Sequence, residues 1–324
     1  MRPISEYQNL LNEFLTDINI PENPKNLYEP ISYILSIGGK RMRPVLTLMT
    51  TEIFGGDYKD AFAAATAVEL FHNFSLIHDD IMDDAPLRRG KQTVHEKWDV
   101  NTGILSGDAL LILAYQYFEN YEPQIFSSLA KIFSKTALEV CDGQQYDVDF
   151  EQRDDVSIEE YILMIKYKTA VLVAAAMKMG AVVAKTSDKN ADLIYNFGLY
   201  LGIAFQLQDD YLDAFGNPLT FGKQIGGDII ENKKTFLYLK ALELADADTK
   251  EQLSHLFSIK PQDPSQKVES VKKYFIQTGA ADQSKQLIET YTLKAFEMLN
   301  ALDVSEDKKQ GLIDFGNYLM KRDV

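Results

Sequence analysis

Two short runs of acids stand out by residue type and spacing. Asp79-Asp80-Ile81-Met82-Asp83 and Asp209-Asp210-Tyr211-Leu212-Asp213 share the pattern DDxxD and lie 130 positions apart. On a helix, residues four apart stack on one face, which pairs Asp79 with Asp83 and Asp209 with Asp213. Such like-charge pairs cost about 0.2–0.5 kcal/mol each. Each run also ends an apolar segment, where the negative end of the helix macrodipole disfavours carboxylates. Breaking the same two local rules at two places marks a functional site. A hard divalent cation with oxygen ligands reverses both penalties, and Mg²⁺ commonly works through one or two carboxylates plus substrate phosphates. A solvated acidic helix end is the bland alternative for a single copy. Two copies with basic companions argue against it.

The basic companions come in matching places. Gly38-Gly39-Lys40-Arg41-Met42-Arg43-Pro44 sets glycines before cations at the start of a helix. Lys40 and Arg43 suit a diphosphate, the lysine as a point charge and the arginine as a planar fork. Arg88-Arg89-Gly90 follows the first acidic run by one short loop. The second run is followed by Gly222-Lys223, then by Gly227-Asp228 through Asn232-Lys233-Lys234. Lys168-Thr169 lies within an apolar stretch, where an unpaired cation is costly. Singly, these are ordinary solvated or salt-bridged residues. Together, carboxylates, cations and an apolar helical interior imply a substrate with a diphosphate head and a hydrocarbon tail.

Helices must position these groups. Apolar residues recur at helical spacing almost throughout, predicting long helices over 60–82, 101–120, 128–145, 157–184 and 190–214. The segments 105–115 and 171–183 are apolar all round, which predicts helices at the centre of a bundle. Shorter helices with polar faces are expected from about Thr235 onward, and no convincing strand is expected anywhere. Glycine and proline breakers separate the segments, none long enough to be an inter-domain linker. The expectation is one all-α domain over 1–324.

Composition narrows the chemistry. Of 324 residues, 46% are hydrophobic and 25% charged, ample for a core. A net charge of −15 argues against a nucleic-acid partner, which needs a basic face. Cys141 is the single cysteine, so no disulfide can form within the chain and a reducing compartment is expected. With no signal peptide and no apolar run of spanning length, the sequence reads as cytoplasmic, with no integral membrane segment.

In combination and order, the motifs GGKRMRP, HNFSLIHDDIMDDAPLRRG, GQQYD, Lys168-Thr169, FQLQDDYLD and GKQIGGDIIENKKT resemble those of the trans-isoprenyl diphosphate synthases, the polyprenyl synthetase family, over essentially the whole chain. That resemblance implies a large α-helical bundle around a central cavity, usually a homodimer. It implies head-to-tail condensation of isopentenyl diphosphate with an allylic diphosphate, with Mg²⁺ as cofactor, roughly three ions per site. By the same resemblance Asp79, Asp83 and Asp209 match the metal ligands, supported by Asp80 and Asp213, with Asp210 in the same catalytic cluster. Lys40, Arg43, His72 and Arg89 match the isopentenyl diphosphate site, and Arg88, Lys168, Lys223 and Lys233 match contacts to the allylic diphosphate. Thr169 and Gln206 match groups facing the developing carbocation. One position departs: the family often has proline two residues after the RRG glycine, where Gln92 stands here, which leaves the loop's shape open.

The helix carrying the first acids also works as a ruler, since one turn rises about 5.4 Å, close to one isoprene unit. Phe74 lies five residues before Asp79, Ser75 four and Phe71 eight. In the family, an aromatic at the fifth position with a small residue at the fourth resembles short-chain synthases, C20 first and C15 next. Ordinary core aromatics are the alternative for Phe71 and Phe74. Other readings are weaker. His72, His78 and Asp79 suit a metal-dependent phosphohydrolase, but that leaves the second DDxxD unexplained. Terpene cyclases share the first motif and differ at the second. A longer-chain synthase remains an alternative, as does a non-catalytic partner subunit, although such subunits typically lose aspartates or cations that are all present here.

Overall fold

The computed structural model describes residues 2–217 and 225–321. Lys223, expected to touch a diphosphate, lies outside the described residues. The chain groups into two compact units, one formed by Met1–Thr136, Ala175–Tyr195 and Asp303–Gly311, the other by Ala137–Ala174, Asn196–Leu302 and Leu312–Val324. The all-α expectation holds in both.

In the first unit, α1 (Ile4–Thr16), α2 (Lys25–Ser36) and α3 (Met42–Ile53) lead to α4 (Phe62–Met82). A hairpin of β1 (Leu87–Arg88) and β2 (Lys91–Gln92) follows, then α5 (Val94–Lys97) and α6 (Val100–Tyr117). α4 packs along α6 and α3, and α1 packs on α3. Its alanine-rich start favours helix, and from Ala64 to Phe71 every residue is buried. The end of α4 is set by Asp84 at φ 49°, with Asp84 N donating to Ile81 O (3.3 Å) and Ala85 N to Asp80 O (2.9 Å). This is a Schellman stop with aspartate where glycine is usual.

The hairpin is a feature absent from the sequence expectation, because two-residue strands are too short to alternate. Leu87 pairs with Gln92 and Arg88 with Lys91, leaving Arg89 (φ 53°) and Gly90 (φ 74°) as the turn. Two positive φ values at the centre make a type I′ turn. The Gln92 position is thus a paired strand residue, and its carbonyl accepts from the Tyr33 hydroxyl at 2.8 Å.

One expectation about α6 is corrected. Its all-round apolar composition does not mark a central helix, since Ile104, Leu105 and Ile112 are 41%, 59% and 59% exposed. One apolar face packs on α4 and the other is uncovered, a difference that composition alone does not register. By contrast, 171–183 is buried as expected.

The second unit takes the end of α7 (Pro123–Gln152), α8 (Ile158–Ile165), the start of α9 (Val171–Val183) and most of α10 (Asp188–Phe215). It continues with α11 (Gly227–Glu231), α12 (Phe236–Leu244), α13 (Ala247–Leu256), α14 (Ser265–Gln277) and α15 (Ala280–Asn300), and takes the end of α16 (Glu306–Met320). With 21 residues, α15 is longer than the short helices expected there. The continuous helix expected over 157–184 is interrupted by a π-turn at Lys166–Ala170. Such bulges concentrate at functional sites.

Two glycines clamp that turn. A Cβ on Gly143 of α7 would fall 2.2 Å from Lys168 N, and one on Gly202 of α10 would fall 2.8 Å from Ala170 Cα. Backbone meets backbone at both places, with no side-chain end that could swing away. Gly143→Ala is therefore expected to destabilise the fold by about 1–3 kcal/mol through overpacking. Thermal unfolding checks this; an unshifted midpoint would show that α7 does not approach the π-turn this closely.

Candidate active site

The first acidic run divides by direction. Asp80 is 1% exposed and turned inward, while Asp83 caps α4 at the surface. Asp80 receives a fork from Arg88: Nε lies 2.9 and 2.8 Å from its two oxygens, and Nη2 lies 2.6 Å from Oδ1. Arg88 Nη2 also lies 3.9 Å from Asp79 Oδ2. Burial alone would lower the Arg88 guanidinium, but Asp80 and then Asp79 and Asp83 hold it above its ordinary value. Asp79, 23% exposed in its side chain, and Asp83 present hard oxygen donors one helical turn apart, a set that fits a divalent cation.

Three more guanidiniums gather in the same unit. Arg41, at φ 49° and 6% exposed in its side chain, pairs with the buried Glu69 carboxylate and donates to Leu35 O at 2.5 Å. Asn73 Nδ2 steadies Glu69 Oε1 at 2.7 Å. Arg43 Nη1 lies 3.3 Å from His72 Nε2. A guanidinium can only donate, so Nε2 carries the lone pair and the ring proton is assigned to Nδ1. Burial first, then Arg43, Arg89, Arg88 and Arg41, push the His72 pKa well below its ordinary value. The imidazole is neutral. Arg43 is itself lowered, by burial and by Arg89, with Glu69 opposing. Arg89 donates to Gly38 O, and its guanidinium lies where a Cβ on Gly39 would sit, 2.5 Å from Nη1. Glu69 and the Asp80 fork leave Arg43 and Arg89 without a carboxylate pair among the described residues. Such surplus positive charge suits an anion. Lys40 is exposed, and its carbonyl accepts from Gln8 Nε2 at 2.6 Å.

In the second unit the π-turn aims Lys168 and Thr169. Lys168 Nζ pairs with Asp147, a residue of the GQQYD motif. Thr169 Oγ1 donates to Gln206 Oε1 (3.1 Å), and Gln206 Nε2 donates to Asp210 Oδ1 (2.8 Å). The Tyr161 hydroxyl donates to the other Asp210 oxygen. Every proton in this chain points toward Asp210, which leaves the Thr169 oxygen to present lone pairs outward. Asp213 is committed to backbone: its Oδ2 accepts from Asp228 N (3.0 Å) and its carbonyl from Gly226 N (2.6 Å). It thereby anchors the start of α11. Asp210 and Asp228 are both pushed up, mainly by burial and further by neighbouring carboxylates. Burial would lower Lys233, but Asp228, Glu231 and Asp147 hold it above its ordinary value. Its ammonium lies 3.2 Å from Glu231 and 4.0 Å from Asp228.

The ruler residues fall in an aromatic cluster. Phe74 stands edge-on to His78 at 4.8 Å and tilted to Phe71 at 5.4 Å, and Phe71 meets Phe133 at 5.2 Å. Ser75 turns its hydroxyl back onto His72 O at 2.8 Å. Phe71, 1% exposed, is core, while Phe74, at 9%, lies at the edge of the cluster. A separate groove of 1060 Å³, lined by residues such as Val156, Ile162, Leu239 and Tyr291, includes none of the expected site residues.

Tyr161, Asp147, Asp228 and the Arg41–Glu69 pair escaped the sequence reading as functional groups. The partners of Tyr161 and Arg41 lie 49 and 28 positions away, beyond any local spacing rule. Tyr161→Phe removes one of the two donors on Asp210. It is expected to lower turnover about tenfold with substrate KM nearly unchanged, and stability by about 1–2 kcal/mol. Steady-state kinetics with thermal unfolding checks both; a raised KM at wild-type turnover would assign Tyr161 to substrate binding instead.

Similarity to known proteins runs along essentially the whole chain. The polyprenyl synthetase family matches residues 24–275. A crystal structure of a geranylgeranyl pyrophosphate synthase superposes with a TM-score of 0.96 at 52% identity, covering 100% of both chains. The geranylgeranyl pyrophosphate synthase of Geoglobus acetivorans is 34% identical over 322 residues, 99% of this chain and 98% of that protein. The geranylfarnesyl diphosphate synthase of Natronomonas pharaonis is 34% identical over 337 aligned positions, 98% of this chain and 96% of that protein. With the helical fold as expected and similarity running end to end, the chain belongs to the polyprenyl synthetase family and is an isoprenyl diphosphate synthase that elongates trans-prenyl chains.

Proposed function

We propose that this enzyme condenses isopentenyl diphosphate with allylic diphosphates in a Mg²⁺-dependent reaction that stops at the C20 product. The observation that carries the reading is the surplus of guanidinium around a neutral His72, on the same unit as an aspartate pair suited to a hard cation. Lys40, Arg43, Arg89 and His72 would hold the isopentenyl diphosphate, with His72 Nδ1–H as a neutral donor among cations. Arg88, Lys168, Lys223 and Lys233 would take the allylic diphosphate, the first two exchanging Asp80 and Asp147 for phosphate oxygens.

Asp79, Asp83 and Asp209 would hold Mg²⁺, supported by Asp80 and Asp213. When bound, Mg²⁺ supplies electrostatic stabilisation of the departing diphosphate. Thr169 directs lone pairs at the allylic carbon as it becomes cationic, and the Gln206 amide fixes the direction of that hydroxyl. The apolar interior keeps water from the cation. No side chain is needed as base, because the released pyrophosphate can accept the proton.

Product length follows from Phe74, whose ring would close the tail space, and C20 agrees with the product named for the structure at 52% identity. C15 is the nearer alternative, and the geranylfarnesyl name of one relative marks the longer one. We read the 324 residues as one synthase domain acting in the cytoplasm. Among the described residues no helix is long and apolar enough to cross a membrane. The uncovered apolar face of α6 supports a homodimer.

Incubation with Mg²⁺, labelled isopentenyl diphosphate and C5, C10 or C15 allylic diphosphates, followed by sizing of the dephosphorylated products, tests the reading. Elongation to C20 that a chelator abolishes and Mg²⁺ restores is expected. Elongation that survives chelation would overturn the metal requirement. Phe74→Ala is expected to shift the main product by at least one isoprene unit; an unchanged distribution would remove Phe74 as the floor.

A further inference from the structure

A second group of donor atoms lies just past α4, and the proposed reaction does not use it. Asp84, His95 and Glu96 each offer one ligand atom, and these atoms lie within 4.8 Å of one another. The fold holds them there. Thr93 Oγ1 donates to Ala85 O (2.8 Å) and Thr93 N to Pro86 O (3.2 Å), tying the start of α5 to the residues that follow Asp84.

His95 is the unusual member. Its side chain is 5% exposed, and neither Nδ1 nor Nε2 has a hydrogen-bond partner. Nε2 lies 3.9 Å from Glu96 Oε1, too long for a hydrogen bond. Leaving buried polar atoms unpaired costs about 1–3 kcal/mol apiece, so a native imidazole in that state calls for a partner. The two carboxylates lack one as well: among the described residues no lysine or arginine pairs with Asp84 or Glu96. The adjacent Lys97 lies instead over the rings of Tyr33 and Trp98, at 3.7 and 4.6 Å.

We propose that Asp84, His95 and Glu96 form a binding site for one divalent cation of the Zn²⁺, Co²⁺ or Mn²⁺ class. A donor set of one imidazole nitrogen and two carboxylates favours these ions over Mg²⁺, which prefers oxygen and water. Three protein ligands leave positions for water. The ion would lower the repulsion between the two acids, satisfy the buried ring nitrogen, and clip α5 to the end of α4. Because the hairpin with Arg88 and Arg89 lies between those two elements in the chain, the clip would stiffen the segment that presents both arginines.

The test uses the full chain in saturating Mg²⁺, so that the aspartate pairs are already supplied. Co²⁺ and Zn²⁺ are titrated into wild type, into the double variant Asp84→Asn/Glu96→Gln, and into His95→Asn. Both acids are exposed, and asparagine tolerates the left-handed backbone at position 84, so the double variant is expected to fold. Wild type is expected to retain one equivalent of metal per chain through desalting, show a visible Co²⁺ band, and gain thermal midpoint with Zn²⁺. Both variants are expected to lose the equivalent, the band and the Zn²⁺ shift. The double variant should keep its Mg²⁺-supported prenyl transfer measured without Zn²⁺. Wild type that retains no ion in excess Mg²⁺, or a double variant that retains it as wild type does, overturns the proposal. Inactivity of wild type in Mg²⁺ alone would count against the proposed reaction and not against this site, whose readout is bound metal.

Discussion

The negative end of a helix repels carboxylates, and the end of α4 carries four of them in six residues. Much of the first unit can be understood as the answer to that repulsion. Asp80 is buried and taken up by the Arg88 fork, which removes one charge from the count. Asp84 adopts the left-handed turn that ends the helix and sends the chain away. What is left is Asp79 and Asp83 on one face, with the same Arg88 guanidinium 3.9 Å from Asp79. The fork also fixes where the hairpin begins, so the inward acid and the outward Arg89 are two ends of one arrangement. Arg89 itself stands in a left-handed conformation that a non-glycine side chain adopts at a cost, at a position where glycine would give up the guanidinium.

The second acidic run meets the same difficulty with neutral donors. Asp210 is buried under a phenol and an amide, and Asp213 is spent on the backbone of α11. Neutral donors offset less charge than a guanidinium does, which is why burial raises the pKa of Asp210. The gain is direction: a carboxylate that accepts on both oxygens dictates which way Gln206 and Thr169 face.

Legibility in the sequence followed the range of each interaction. The helical class, the ends of α4 and α10 and the pairing of acids one turn apart are all local, and spacing displayed them. Asp79 and Asp83 lie one turn apart at the end of α4, as that spacing implied. The inward turn of Asp80 was not visible, because DDxxD does not say which acid faces the core. Glu69 and Tyr161 looked like ordinary helix residues, and only their distant partners give them meaning. The apolar run in α6 was legible as helix but not as an uncovered face, since an all-round apolar pattern carries no direction. Lys223 lies outside the described residues.

The π-turn has a consequence for how this chain tolerates change. A π-turn is in effect one residue more than an α-helix needs over the same length, and one residue of helix is about 100° of rotation. Upstream of 166 and downstream of 170, the two stretches are therefore out of phase by roughly that angle. A single deletion inside 166–170 would bring them back into phase and leave a regular helix that every propensity scale would favour. It would also swing Tyr161 about a quarter-turn relative to the stretch that follows Thr169. The defect in the helix thus acts as a register mark, and homologous chains aligned across it with a one-residue gap would differ in aim even where their residues agree.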